Sequence, residues 1–130
     1  MSQLPLDRTG VILYTVAYKE CIEFYQHLLQ LPILFQQDQL TCFDFGGAYL
    51  MVELDDEYYL EGKSDSRIRT CLRFNVSDVK SMALRLQKAG IDVDYQEHSW
   101  GTVAKFRDPD GNLCAFKDSK GFEKQVTRGR

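Results

Sequence analysis

Lys105-Phe106-Arg107-Asp108-Pro109-Asp110-Gly111-Asn112-Leu113-Cys114-Ala115-Phe116 is the stretch from which the rest of the chain can be read. Its centre has the chemistry of a tight turn. Pro109 fixes φ at the corner, Asp108 and Asp110 can bond back to nearby backbone, and Gly111 tolerates positive φ. The flanking runs then become the arms of a β-hairpin, with strands near 102–107 and 112–117. A turn closed by Asp-Pro-Asp-Gly pairs Phe106 with Leu113 and Ala104 with Ala115.

Upstream of the hairpin one order of elements occurs twice. Residues 11–16, Val-Ile-Leu-Tyr-Thr-Val, are a β-rich run. A helix is expected from about Lys19 to Gln30, with Ile22, Tyr25, Leu28 and Leu29 at core-facing spacing and Pro32 beyond its end. Strands follow near 33–37, 40–45 and 48–54, the last two joined at Gly46-Gly47. Residues 70–76 then alternate as a strand, and Ser77-Asp78 supply capping chemistry. A second helix near 78–89 places Val79, Met82, Ala83, Leu86 and Ala89 on one face, and Gly90 can close it. A strand near 92–96 leads back to the hairpin. The expected class is α+β, one domain made of two βαβββ modules. Module one covers about 10–55, an acidic and polar linker about 56–67, module two about 68–118, and a tail 119–130. A chain of 130 residues can bury enough surface to fold without staples.

Composition narrows the classes of function. A net charge of −3 gives no basic footprint for nucleic acid. No apolar run approaches the roughly 18 residues of a membrane span. No basic-then-apolar leader opens the chain, so a cytoplasmic protein is expected. Cys21, Cys42, Cys71 and Cys114 stand singly within apolar segments and read as reduced, buried thiols. The stretch from Lys117 to Arg130 carries five basic residues against Asp118 and Glu123, and reads as a frayed, solvated terminus.

Several motifs together resemble the vicinal oxygen chelate superfamily, which includes glyoxalase I, bleomycin-resistance proteins, fosfomycin-resistance proteins and extradiol dioxygenases. They are Phe106-x-Asp108-Pro109-Asp110-Gly111-Asn112, Ile22-Glu23-Phe24-Tyr25 with a later Leu31-Pro32, and Lys88-Ala89-Gly90. The paired modules extend the resemblance from Gly10 to Lys117. It implies a curled mixed sheet around an open cleft, helices outside, and a homodimer. Strands 11–16 and 70–76 are expected to offer edges or faces for a second chain to cover. In metal-using members, ligands stand at the start of the first strand, late in the fourth, early in the fifth, and in the eighth. Carried over, these positions are Gly10 to Ile12 (Val11 foremost), Glu53, Cys71 and Ala115. Only Glu53 keeps a ligand-type side chain, so no metal cofactor is expected. A divalent metal is the alternative.

Strand alternation assigns faces without reference to any family. Leu72, Phe74 and Val76 are expected to cover a helix, which turns Cys71, Arg73 and Asn75 into the cleft. Tyr49, Met51 and Glu53 point inward, beside Leu40, Cys42 and Asp44. In the first strand the inward set is expected to be Val11, Leu13 and Thr15. The ligand-binding candidates are therefore Glu53, Arg73, Cys71, Tyr49, Met51, Asn75, Trp100 and Phe106. Arg73 offers a planar set of donors to an anionic or carbonyl group, and Glu53 can accept a donor or act as a base. Equally, the two can form an ion pair where the metal is missing. His98 and Trp100 can stack on a planar ligand at the cleft mouth or simply cover the sheet edge. His27 belongs to the outer helix and reads as a surface residue. No catalytic residue is identified, because Cys71 has no base placed beside it.

Three functions remain open. One is a metal-free module that binds a small molecule, as in the bleomycin-resistance branch. Another is a metal-dependent lyase, isomerase or dioxygenase. The third is an interaction protein whose cleft is closed by Leu40, Met51, Leu13 and Phe106. The sequence names no ligand.

Overall fold

Eight short strands form one mixed sheet that does not close into a barrel. The computed structural model describes residues 3–55, 69–107, 109 and 113–129. The strands are β1 (Arg8–Thr15), β2 (Ile33–Gln37), β3 (Leu40–Phe45), β4 (Ala48–Leu54), β5 (Arg69–Val76), β6 (Asp94–His98), β7 (Gly101–Arg107) and β8 (Leu113–Asp118). Their order across the sheet is β2-β3-β4-β1-β5-β8-β7-β6. Within each module the first strand runs parallel to the last, β1 with β4 and β5 with β8. The modules join where β1 pairs antiparallel with β5. The sheet edges are thus β2 and β6, and the edges expected on 11–16 and 70–76 do not exist. Leu72 does lie on the outer face, 41% exposed.

Two helices cover that outer face. The first, α1 (Tyr18–Ile22), continues as a π-helical turn over Glu23–Leu28. Tyr18, Cys21, Ile22 and Tyr25 pack there on Val11, Leu13, Phe43, Leu50 and Val52. In module two, α2 (Val79–Lys88) lays Val79, Met82, Ala83 and Leu86 on Phe74, Val76, Ala104, Phe106 and Phe116. Asp78 caps α2 by accepting from the Ser81 amide at 3.1 Å, and Gly90 ends it at φ +86°. Gly46 and Gly47, at φ +67° and +96°, make the tight β3–β4 turn, a backbone that side-chain-bearing residues rarely adopt.

Three expectations change. First, the C-terminal segment is not a frayed tail. Ser119–Arg128 forms a third helix, α3, on the concave face. Phe122 and Val126, spaced i and i+4, give it one apolar side, and both are buried. Asp118 caps its first turn by accepting from the Gly121 amide at 2.8 Å. The charged residues around that pair hid it in composition. Second, the last hairpin pairs Phe106 with Cys114 and Lys105 with Ala115, one residue from the expected register. A one-residue slip exchanges the faces of a strand, so Phe106 turns out toward α2. Third, Gly10 and Ile12 pair with Tyr49 and Met51, so they are the inward residues of β1, while Val11 and Leu13 face α1. The linker 56–67 and the turn residues Asp108, Asp110 and Gly111 lie outside the described residues. No helix among the described residues is long and apolar enough to cross a membrane.

Candidate functional site

Directly paired residues on neighbouring strands share a face, so the concave side is laid out in rows. One row runs Tyr49, Gly10, Arg73, Ala115 and Lys105 across β4, β1, β5, β8 and β7. The row on one side holds Met51, Ile12 and Cys71. On the other side come Arg8, Asn75, Lys117 and Val103. Above these rows lies a cavity of about 370 Å³. Both modules line it, and Gln125 of α3 contributes to the wall. A wider furrow of about 1000 Å³ runs past Gln87, Ile91 and Arg107, but its walls come from module two alone. Ligand sites favour junctions between structural units, and the smaller cavity is where the modules meet.

The four positions suggested for metal ligands do converge, because Ile12, Glu53, Cys71 and Ala115 all line this cavity. Their chemistry does not suit a metal. Ile12 (in the place assigned to Val11) and Ala115 have no donor atom. Burial raises the Cys71 pKa, with the Arg73 charge opposing, which makes the thiol a poorer nucleophile. That leaves Glu53 and Cys71, two donors at most, where a catalytic site needs about three protein ligands. Among the described residues there is no group of three or more His, Cys, Asp and Glu able to hold an ion.

Beneath the cavity the floor is rigid. Tyr49 is fully buried and its hydroxyl donates to Asn75 Oδ1 at 2.7 Å. Its ring lies over Gly10, where a Cβ would sit 2.5 Å from Tyr49 Cδ2. Burial pushes the Tyr49 phenol up to about 12, with the Arg73 charge opposing. The same two influences bring the Cys42 thiol to about 12. Both groups are therefore neutral at ordinary pH.

The cations of the concave face are answered unequally. Arg8 meets Glu123 of α3 at 3.4 Å and lies over the Phe122 ring. Lys117, only 1% exposed, donates to Asp118 Oδ1 at 2.6 Å and stands 5.1 Å from the centre of the Trp100 ring. Its enclosure lowers its pKa, with the Asp118 contact opposing. Arg73 is 9% exposed, its guanidinium carbon 5.8 Å from the Tyr49 ring centre. The buried Arg73 Nε has no hydrogen-bond partner among the described residues. Glu53 stands opposite Tyr14, two rows from Arg73. Strand spacings then put the Glu53 and Arg73 Cα atoms roughly 16 Å apart, too far for a direct pair between ordinary side chains.

Asp118 carries a pH prediction. Burial acts to raise its pKa, but hydrogen bonds from Lys117, the Thr102 amide (2.7 Å) and the Gly121 amide hold it below the usual carboxylate value. A carboxylate depressed on folding stabilises above its unfolded pKa, and that contribution is lost as pH falls through the folded value. Acid titration of Asp118→Asn should therefore show a shallower loss of stability than the parent below about pH 4. Parallel curves would remove Asp118 as a contributor.

At the rim, the His98 and Trp100 rings stack 4.4 Å apart at 9°, and His98 Nε2 meets Gln96 Oε1 at 2.7 Å. Of the candidates from the sequence, Glu53, Arg73, Cys71, Met51 and Trp100 come together on the cavity wall. Tyr49 and Asn75 support it from below. Phe106 does not belong, packing instead with Phe74 and Phe116 on the outer face. Thr15 is turned toward α1, accepting from the Ala17 amide and the Cys21 thiol. Asp44 binds the Gly47 amide in the turn. His27 lies exposed on the outer helix beside Glu23. Lys105, Lys117 and Gln125 were missed. Lys117 was within reach, because Ala115 was placed inward and alternation carries Lys117 with it.

Comparison with known proteins agrees with this fold. The family model described as Glyoxalase/Bleomycin resistance protein/Dioxygenase superfamily matches residues 6–116. A Bacillus subtilis (strain 168) protein described as uncharacterized protein YraH is 30% identical over 111 residues, covering 74% of this chain and 85% of that protein. A superfamily member from Vibrio splendidus 12B01 superposes with a TM-score of 0.62 at 20% identity, over 86% of this chain and 98% of the other. The 2,3-dioxygenase LapB from Pseudomonas sp. KL28 superposes at 0.63 with 18% identity, over 90% of this chain and 42% of the larger one. At these identities the structural matches speak for the fold.

Proposed function

The chain belongs to the glyoxalase/bleomycin resistance protein/dioxygenase superfamily, and from that premise we propose that its cleft binds a small organic molecule without a divalent metal. One observation carries the reading. Ile12, Glu53, Cys71 and Ala115 reach the same cavity, yet one carboxylate and one thiol are all the donors they offer a metal. A transition metal held by two such ligands is held weakly. The cavity is open, about 370 Å³ between the modules, so the cleft is not closed by core side chains even though α3 covers part of the face. That favours a binding module, in the manner of the bleomycin-resistance branch, over a pure interaction protein.

The test is metal content together with stability. Protein purified without added metal should contain none in stoichiometric amount, and EDTA should leave its melting temperature unchanged. Stoichiometric nickel, zinc, iron or manganese, lost together with thermal stability on chelation, would overturn the proposal.

A further inference from the structure

The four positions just discussed surround a residue that none of them includes. Arg73 stands between Gly10 and Ala115 in its row, the one without a side chain and the other with a single methyl. On the Gly10 side the space is filled by the Tyr49 ring. On the other side Arg73, Ala115 and, beyond it in the same row, Lys105 all line the cavity. Two strand spacings separate the Arg73 and Lys105 Cα atoms, roughly 10 Å, which both side chains can span toward a shared atom.

We infer that Arg73 and Lys105 form an anion subsite above Ala115, and that it takes the carboxylate of a small aromatic acid. The inference rests on the metal-free reading and gives the cleft its ligand class. The neighbouring cations are already answered, Arg8 by Glu123 and Lys117 by Asp118. Arg73 is more than nine-tenths enclosed, with an orphan Nε, on the wall of a cavity. Among the described residues no carboxylate pairs with Arg73, whose guanidinium meets the Tyr49 ring; a buried cation without a counter-charge is costly, and a buried donor without an acceptor adds to that cost. A carboxylate relieves both, since its two oxygens match the guanidinium edge. The remaining walls suit a flat apolar body: Ile12 and Met51 on the floor, and Trp100 stacked on His98 at the rim. A fixed guanidinium thereby supplies the positive charge that a metal would bring to this cleft.

Benzoate and its neutral counterpart benzamide are the probes, added to EDTA-treated protein and followed by calorimetry and Trp100 fluorescence. The parent should prefer benzoate by roughly tenfold or more, as expected for a charge-assisted hydrogen bond. Arg73→Met should erase that preference, and Lys105→Met should reduce it. Arg73→Met gives up the Arg73 contact with Tyr49, so its melting temperature is read beside binding, and binding lost from a variant still folded at the assay temperature cannot be assigned to misfolding. Equal binding of both probes, a preference surviving Arg73→Met, or no binding of either probe overturns the subsite. Equal binding leaves the metal-free cleft standing. Benzoate binding that requires restored metal defeats the metal-free reading instead.

Discussion

Phe122→Ala is expected to destabilise the protein by about 3–5 kcal/mol in urea or thermal unfolding, the range for emptying a fully enclosed aromatic site. Phe122 is completely buried, its ring centre 4.4 Å from that of Tyr49 and 5.8 Å from that of Phe35. It is the main apolar anchor of α3, supported by Val126 one turn later. A ten-residue helix is marginal in water without such packing, so the loss should fall on the whole helix. Protection of α3 amides from hydrogen exchange should fall together with global stability. A cost below about 1 kcal/mol, the level of an ordinary surface change, would mean that α3 is not seated on the sheet.

Gly10→Val should cost about 3 kcal/mol or more, at the upper end for overpacking a close-packed core. The added Cβ would lie 2.5 Å from Tyr49 Cδ2 and Cζ. The ring has little room to move away, because its hydroxyl is bound to Asn75 and Phe122 lies against it. Adding Tyr49→Ala to Gly10→Val should recover part of the loss, making the double mutant more stable than the sum of the single effects. Strict additivity in unfolding free energy would show that the two residues do not compete for space. The expectation is specific to position 10. Valine is already present next door at Val11, where the side chain points to α1.

The contrast between Gly10 and Val11 shows where sequence reading reached and where it stopped. Strands with polar residues on one face declared their orientation. Thr70-Cys71-Leu72-Arg73-Phe74-Asn75 alternates cleanly, and Arg73 and Asn75 were placed correctly. The run from Val11 to Tyr14 is apolar on both faces because both are covered, by α1 outside and by the core inside. Period two is then invisible, and the face must come from pairing. The Arg107–Leu113 connection failed for a different reason. Turn residues announced a hairpin but not the number of residues in it, and one extra residue exchanged Phe106 for Lys105. That single step removed a cation from the expected site. The convergence of Glu53, Cys71 and Ala115 was legible because each lay on a strand whose phase was right. The hydrogen-bonding of Lys117 to Asp118 was not, since neighbours in sequence point to opposite faces of a regular strand.

Asp118 is a mechanical link as well as an electrostatic one. One carboxylate holds the Thr102 amide at the start of β7, the Gly121 amide in the first turn of α3, and the ammonium of Lys117 under Trp100. Hairpin rim, cavity wall and C-terminal helix are thus hinged on a single side chain. The carboxylate that caps α3 also holds the Trp100 edge through Lys117 and Thr102, so loss of Asp118 should loosen the mouth and the back of the cleft together.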